Sequence, residues 1–375
     1  MQTVGQASAT VAAPILIRAA QPADGAALMA AVARIDAETE FLGVPGQPHP
    51  WAGHPEAELR SLNRHGRGVV FLAESDGGAI VGYLSAFCGH FARNNGIVFI
   101  AVVGLREEWR GRGIGTLLFE KIEAWARLRQ AWRLELRVSS LNERGLALYR
   151  KSGFAVEGRI RSGVFRRGAW TDDFWMGKLL EPLPGEPPVE IPAAAPQGQP
   201  SVTARPILRE MRAGDGPAFR DFEMIVAGHH PFVLRVPSEV APVEAIERDI
   251  ASTGGDPRLW IVATLPEGRR RERVVGHASG SIEFGFRMQH DAFVNVTVLP
   301  DCGGQGLGRA LHERIEAWAR NQGARRLTAA IQAPNQAGRA FAAALGYQEE
   351  VTMRCYSLIE GRMVDRLRVG KLLVD

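Results

Sequence analysis

The chain is poor in cysteine: three in 375 residues, Cys88, Cys302 and Cys355. Neither their number nor their spacing builds a disulfide scaffold or a cysteine metal site. The nine histidines form no HExxH-type pair, so no metal centre is expected. No apolar run approaches the roughly 18 residues of a membrane-spanning helix. The first twenty residues carry no basic leader ahead of their mildly apolar stretch, so they do not read as a signal peptide. Charge of either sign is also scarce in excess: 45 basic against 41 acidic side chains leave +4. The one dense basic run, Arg269-Arg270-Arg271-Glu272-Arg273, lies between apolar stretches and reads as the solvated tip of a hairpin. No basic module for nucleic acid is present. These absences point to a cytoplasmic protein that binds neither nucleic acid nor membrane; its oligomeric state is not legible.

What the sequence does have is a duplicate of itself. Ile122-Glu123-Ala124-Trp125-Ala126-Arg127 recurs as Ile315-Glu316-Ala317-Trp318-Ala319-Arg320, a separation of 193 residues. The same separation carries Gly113 to Gly306, Gly115 to Gly308, Asn142 to Asn335 and Gly153-Phe154 to Gly346-Tyr347. A register held over about 80 residues is a duplicated domain, since solenoid repeats are much shorter. Residues 182–200 hold seven prolines, a composition that favours a semi-rigid linker. The expected division is 15–181, a proline-rich linker 182–204, and 205–375.

Each copy reads as mixed α/β. In the first, residues 15–18 form a strand and 22–39 a helix. Strands 69–75 and 79–90 flank Asp76-Gly77-Gly78, a hairpin signal. Residues 96–105 are a nearly continuous apolar strand. Ile114, Leu118, Ile122 and Trp125 then recur at helical spacing, Leu134, Leu136 and Val138 alternate as a strand, and 143–151 form a helix. Two closing strands surround 166–169. Residues 41–63 read as loops with no recognisable code.

The segment from Val102 to Thr116 runs a buried strand into a glycine-rich turn and then into a long helix. Glycines there let the backbone approach a ligand, and the first helical N–H groups face an anion with the helix dipole behind them. Arg110 and Arg112 add charge. Spacing excludes a P-loop and a first-strand dinucleotide fingerprint.

Arg110-x-x-Gly113-x-Gly115 resembles the acyl-CoA signature of the GNAT N-acetyltransferases. Asn142, Leu148-Tyr149 and Gly153-Phe154 resemble that family's second signature. The likeness spans 15–180 and, more weakly, 205–375. It implies two tandem α/β GNAT domains with a mixed sheet, acetyl-CoA as co-substrate, an amine acceptor and no metal. By the same resemblance, backbone groups of Val103 and Leu105 hold the pantetheine arm. The amides of Arg110, Gly111, Arg112, Gly113, Ile114 and Gly115 hold the pyrophosphate, and Asn142 steadies the thioester end. Tyr149 is the general acid, which suits a phenol protonated at neutral pH. Alternatively, Tyr149 is a core aromatic beside Leu148, and Asn142 a helix N-cap. The implied base is open: Glu38 and Glu40 border the acceptor region, and either is equally an ordinary helix charge.

In the second copy Val298, Gly306, Gly308 and Asn335 keep the pattern as a weaker cofactor site. Gly303 replaces Arg110, Gln305 replaces Arg112 and Ala342 replaces Tyr149. The expectation is direct acetyl transfer to a primary amine, mainly by the N-terminal copy. Two alternatives remain: both copies active or the C-terminal one the working enzyme, and a non-catalytic acyl-CoA-binding regulatory module.

Overall fold

The computed structural model describes residues 15–43, 49, 51–166, 168–187, 205–230, 232–252, 257–268, 271–282 and 290–373. In the first copy the order is β1 (Ile15–Ala19), α1 (Gly25–Ala37), α2 (Pro55–His65), β2 (Gly68–Ser75), β3 (Ile80–Cys88) and β4 (Ile97–Leu105). Then follow α3 (Ile114–Leu128), β5 (Arg133–Ser139), α4 (Glu143–Lys151), β6 (Ala155–Arg166) and β7 (Ala169–Leu179). The second copy repeats it as β8 (Ile207–Glu210), α5 (Gly216–His229), α6 (Val243–Ser252), β9 (Arg258–Glu267), β10 (Arg271–Ile282) and β11 (Asp291–Val298). It closes with α7 (Leu307–Asn321), β12 (Arg326–Gln332), α8 (Gln336–Ala344), β13 (Gln348–Ile359) and β14 (Arg362–Leu372).

Within each copy the strands pair antiparallel except β4 with β5 and β11 with β12, which run parallel. The sheet order is β1-β2-β3-β4-β5-β7-β6 and its mirror, β13-β14-β12-β11-β10-β9-β8, joined where β6 meets β13. Mixed α/β is therefore the observed class. Helices cover both faces. On one, α3 buries Ile114, Leu118, Ile122 and Ala126 against Leu84, Val98 and Leu134. On the other, α1 and α2 bury Leu28, Ile35 and Leu59 against Leu72 and Tyr83. Each fully buried Leu or Ile contributes about 1.5–3 kcal/mol, so both faces matter to stability.

The structure shows three features that the sequence reading did not contain, each with a physical cause. Helix α2 occupies part of the stretch 41–63 read as loop. Pro55 starts it, Glu56 and Glu58 lie in its first turn, and Gly66 closes it in the left-handed conformation at φ 61°; all are ordinary helix-end chemistry. The polar face of β5 is not solvated: Arg133 is 0% and Glu135 3% exposed, because the second copy covers them. The linker begins on the second copy, with Glu186 bridged to Arg362; residues 188–204 lie outside the described residues. So do Arg269 and Arg270, while Arg271 to Arg273 continue into β10 beyond the hairpin turn.

Candidate active site

The site grows from a defect in the sheet. Strands β4 and β5 pair only from Ile97 with Arg133 to Ile100 with Leu136. On the other side of β4, Ser85 pairs with Val102 and Ala86 with Ile100. Ala101 is therefore an extra residue, a bulge of the kind that bends a strand and ends a ladder. Beyond it the two parallel strands part. Val103 and Leu105 continue to pair with Leu84 and Gly82 of β3, leaving the β5 side of this strand end open.

Strand β4 then enters the glycine turn. Gly111 and Gly113 adopt φ 77° and 82°, and a Cβ on either would meet no atom within 4 Å. Glycine is required there by conformation rather than by crowding. Gly113 caps α3 without any side-chain hydrogen bond. The first-turn N–H groups are thus left for an anion, backed by the helix dipole. This uncapped, positive helix end beside a splayed strand fits the pyrophosphate and pantetheine of acetyl-CoA.

A cavity of about 1970 Å³ joins these parts. Val103, Leu105, Arg110, Gly111, Gly113, Ile114, Gly115, Asn142, Tyr149 and Glu40 all line it. Arg112 does not; it is exposed, with its guanidinium 4.9 Å from the Trp109 ring centre. The arginine at the head of the motif also has partners within the protein. Arg110 Nε donates to the Leu105 carbonyl at 3.1 Å, and its Nη2 lies 3.7 Å from a Glu38 oxygen. It straps the end of α1 to the end of β4 while still lining the cavity beside the glycine turn.

Glu38 is held accordingly. It accepts from Arg106 Nε at 2.9 Å and from the Glu107 amide. Burial raises its pKa, but these donors outweigh burial and keep the carboxyl below the usual range. A carboxylate so engaged is a poor proton acceptor. Asn142 accepts from the Gly145 amide at 2.9 Å, so it caps α4 and lines the cavity at once. Tyr149 rests edge-on against Phe119 and Phe154, with ring centres 5.5 and 6.4 Å away. Burial pushes its phenol up to about 12, so it stays protonated throughout the physiological range. The phenol is thus a packed aromatic that also lines the cavity.

Sequence reasoning passed over Arg137 and Asp173, which also line the cavity and pair at 2.7 Å between β5 and β7. Their partnership across two strands has no signal in the chain order. It also passed over the Ala101 bulge.

The second copy keeps the turn and the parting of its parallel strands, β11 and β12 pairing only from Asp291 with Arg326 to Phe293 with Thr328, but not the rest of the surroundings. Gly306 has φ 77°, and Asn335 accepts from the Gly338 amide at 2.9 Å. Strands β10 and β11 pair without a shift from Gly276 with Val298 to Ile282 with Ala292, so there is no counterpart of the Ala101 bulge. The Phe341 ring and Val298 come within 3.3 and 3.8 Å of the Cβ position at Gly308. Ala342 lies buried at 6% exposure. Next to it in the core, His312 and Tyr347 are joined by a 2.9 Å hydrogen bond.

A model of the acetyltransferase (GNAT) family matches residues 32–154 and 232–347, and the chain belongs to that family. It is an acetyltransferase of the kind that carries out acetyl-CoA-dependent N-acetylation. The L-amino acid N-acetyltransferase AaaT of Escherichia coli (strain K12) is 27% identical over 167 residues, 44% of this chain and 98% of that protein. A GNAT-family acetyltransferase from Streptococcus pneumoniae is 28% identical, spanning 44% of this chain and 99% of its own, with a TM-score of 0.42. An acetyltransferase from Salmonella typhimurium, solved with acetyl-CoA, is 20% identical over 46% of this chain and 96% of its own, with a TM-score of 0.41.

Proposed function

We propose that the N-terminal copy transfers acetyl directly from CoA to the primary amine of a free amino acid or a close analogue. One observation carries the assignment to this copy: a single cavity connects the uncapped start of α3, the phenol of Tyr149 and the end of α1. The amides from Arg110 to Gly115 hold the pyrophosphate, and the open edge of β4 at Val103 and Leu105 takes the pantetheine as an added strand. Acetyl-CoA supplies the activated acyl group. Tyr149 holds a proton at its hydroxyl and gives it to the departing sulfur. Glu40, on the acceptor side of the cavity, is the candidate for receiving the ammonium and its proton; Glu38 is occupied as a strap. The relative named for L-amino acids supports the acceptor class.

The C-terminal copy retains a backbone cradle without a phenol at the site, and it is read as weak or silent in turnover. The test is thiol release from acetyl-CoA against a panel of L-amino acids, their amides, small amines and lysine peptides. Release with free amino acids, lost in Tyr149→Phe, is the expected result. Release with peptides alone overturns the acceptor class, and full activity in Tyr149→Phe overturns the choice of copy.

A further inference from the structure

The two copies meet through contacts that come in exchanged pairs. Arg354 donates from Nε to Glu157 at 3.1 Å, and Arg161 donates from Nε to Glu350 at 2.9 Å. The backbone amides repeat this: Arg354 to Glu157 at 3.3 Å and Arg161 to Glu350 at 3.4 Å. Arg133 Nη1 donates to the Arg354 carbonyl at 2.8 Å, and Arg326 Nη1 donates to the Arg161 carbonyl. Within the copies, Arg133 holds Glu157 at 2.9 Å and Arg326 holds Glu350 at 2.7 Å. Each residue is 193 positions from its counterpart.

The backbone bridge between β6 and β13 joins Gly158 to Val351, which are counterparts of each other. A Cβ on Gly158 would stand 2.2 Å from the Glu350 carbonyl, so glycine permits the strands to touch. Both strands shift register at matching places, between Ile160 and Val164 and between Met353 and Ser357. Ser162 and Cys355, inside those shifts, have φ 48° and 50°. Their carbonyls take different donors, His290 Nε2 at 3.0 Å and Trp132 Nε1 at 2.9 Å. Contacts i to j and j to i around one point define a twofold, self-complementary interface. Two domains docked through unrelated surfaces would have no reason to keep a constant separation.

The junction also lies against the site. Phe99 lines the cavity and packs against the cluster of Ile160, Trp175, Val351 and Met353, drawn from both copies. The closed end of the β4–β5 fork, at Trp132 and Arg133, is tied to second-copy carbonyls. Its open end is the cofactor cleft.

We propose that the C-terminal copy serves as a built-in twin. It fills a surface that the N-terminal copy would otherwise present to a second copy of itself, and it braces the fork beneath the cofactor cleft. The bracing rests on the N-terminal site being the working one; the twinning does not.

The test cuts the full-length chain at a protease site placed within 188–204. The halves should remain together as one 40.8 kDa particle in light scattering, with turnover intact. In the cut chain, Glu157→Gln and Glu350→Gln, isosteric changes at counterpart positions, should each weaken association by a similar factor of roughly tenfold or more. Turnover should fall as the halves part. Halves of the unaltered chain that separate on cutting overturn the twin. So does a strong effect of one glutamine substitution with none from the other. A separated N-terminal half with unchanged turnover overturns the bracing alone. Association is read without activity, so failure of the catalytic assignment leaves the twinning test standing.

Discussion

The two copies share a backbone plan and differ in what stands around it. Gly113 and Gly306 have nearly the same left-handed conformation, φ 82° and 77°, and Asn142 and Asn335 cap their helices in the same way. The first copy adds a bulge at Ala101, a phenol at Tyr149 and a strap from Arg110 to Glu38. In the second, Gly303 stands at the arginine position, and His229 at the end of α5 bonds the Ile225 carbonyl of its own helix at 3.0 Å. The second copy thus lacks the strap that Arg110 makes to Glu38. The difference teaches that turn conformation and helix capping, which the fold itself needs, are kept where the bulge, the phenol and the strap are not. Glycine turns alone are therefore weak proof of an active site.

The largest expected effect is at the phenol. Tyr149→Phe keeps the ring against Phe119 and Phe154 but removes the proton, and general acid–base groups are worth about 10²–10⁴-fold. Turnover should fall more than tenfold with acetyl-CoA affinity unchanged, in steady-state assays where chemistry limits the rate. The matched change Ala342→Gly should leave turnover alone. Next come the two turn glycines. Alanine at φ near 80° costs about 1–3 kcal/mol of backbone strain, so Gly113→Ala should raise the KM for acetyl-CoA about tenfold or more. Gly306→Ala should leave KM unchanged while lowering the stability of its own copy, as read by hydrogen exchange.

Acid should separate the copies as well. His277 takes on β10 the place that Tyr83 holds on β3, and His312 takes that of Phe119. Burial drives both histidines down to about 4. Between that value and the ordinary 6.5 the unfolded chain binds protons that the folded chain refuses, so stability falls as pH falls through this window. Hydrogen exchange at pH 5 should show the C-terminal copy opening first; uniform opening would remove the histidines from the account. The smallest effect is expected at Arg112. Its exposed guanidinium stacks on Trp109, so Arg112→Ala should weaken acetyl-CoA only a few-fold, as for screened surface charges. A hundredfold loss would show that it swings onto the phosphates.

Much of this was legible from the chain. The duplication, element order and glycine turn follow from residue spacing, because each is local or repeated, whereas Asn142 and Tyr149 were marked by the family resemblance. What was not legible is what depends on partners distant in sequence. The alternation of Leu134, Leu136 and Val138 marks a strand, yet nothing nearby shows that Arg133 and Glu135 face another copy. That Arg110 reaches Glu38, 72 residues earlier, has no signal in the chain order. Helix α2 was readable from Pro55, Glu56, Glu58 and Gly66, and was lost to the expectation of a pocket loop.

Calorimetric titration of the full-length chain with acetyl-CoA tests the division of labour most directly. The account predicts one strong site per chain, weakened about tenfold or more by Gly113→Ala and untouched by Gly306→Ala. Two equal sites, or a strong site that survives Gly113→Ala and disappears with Gly306→Ala, would contradict it.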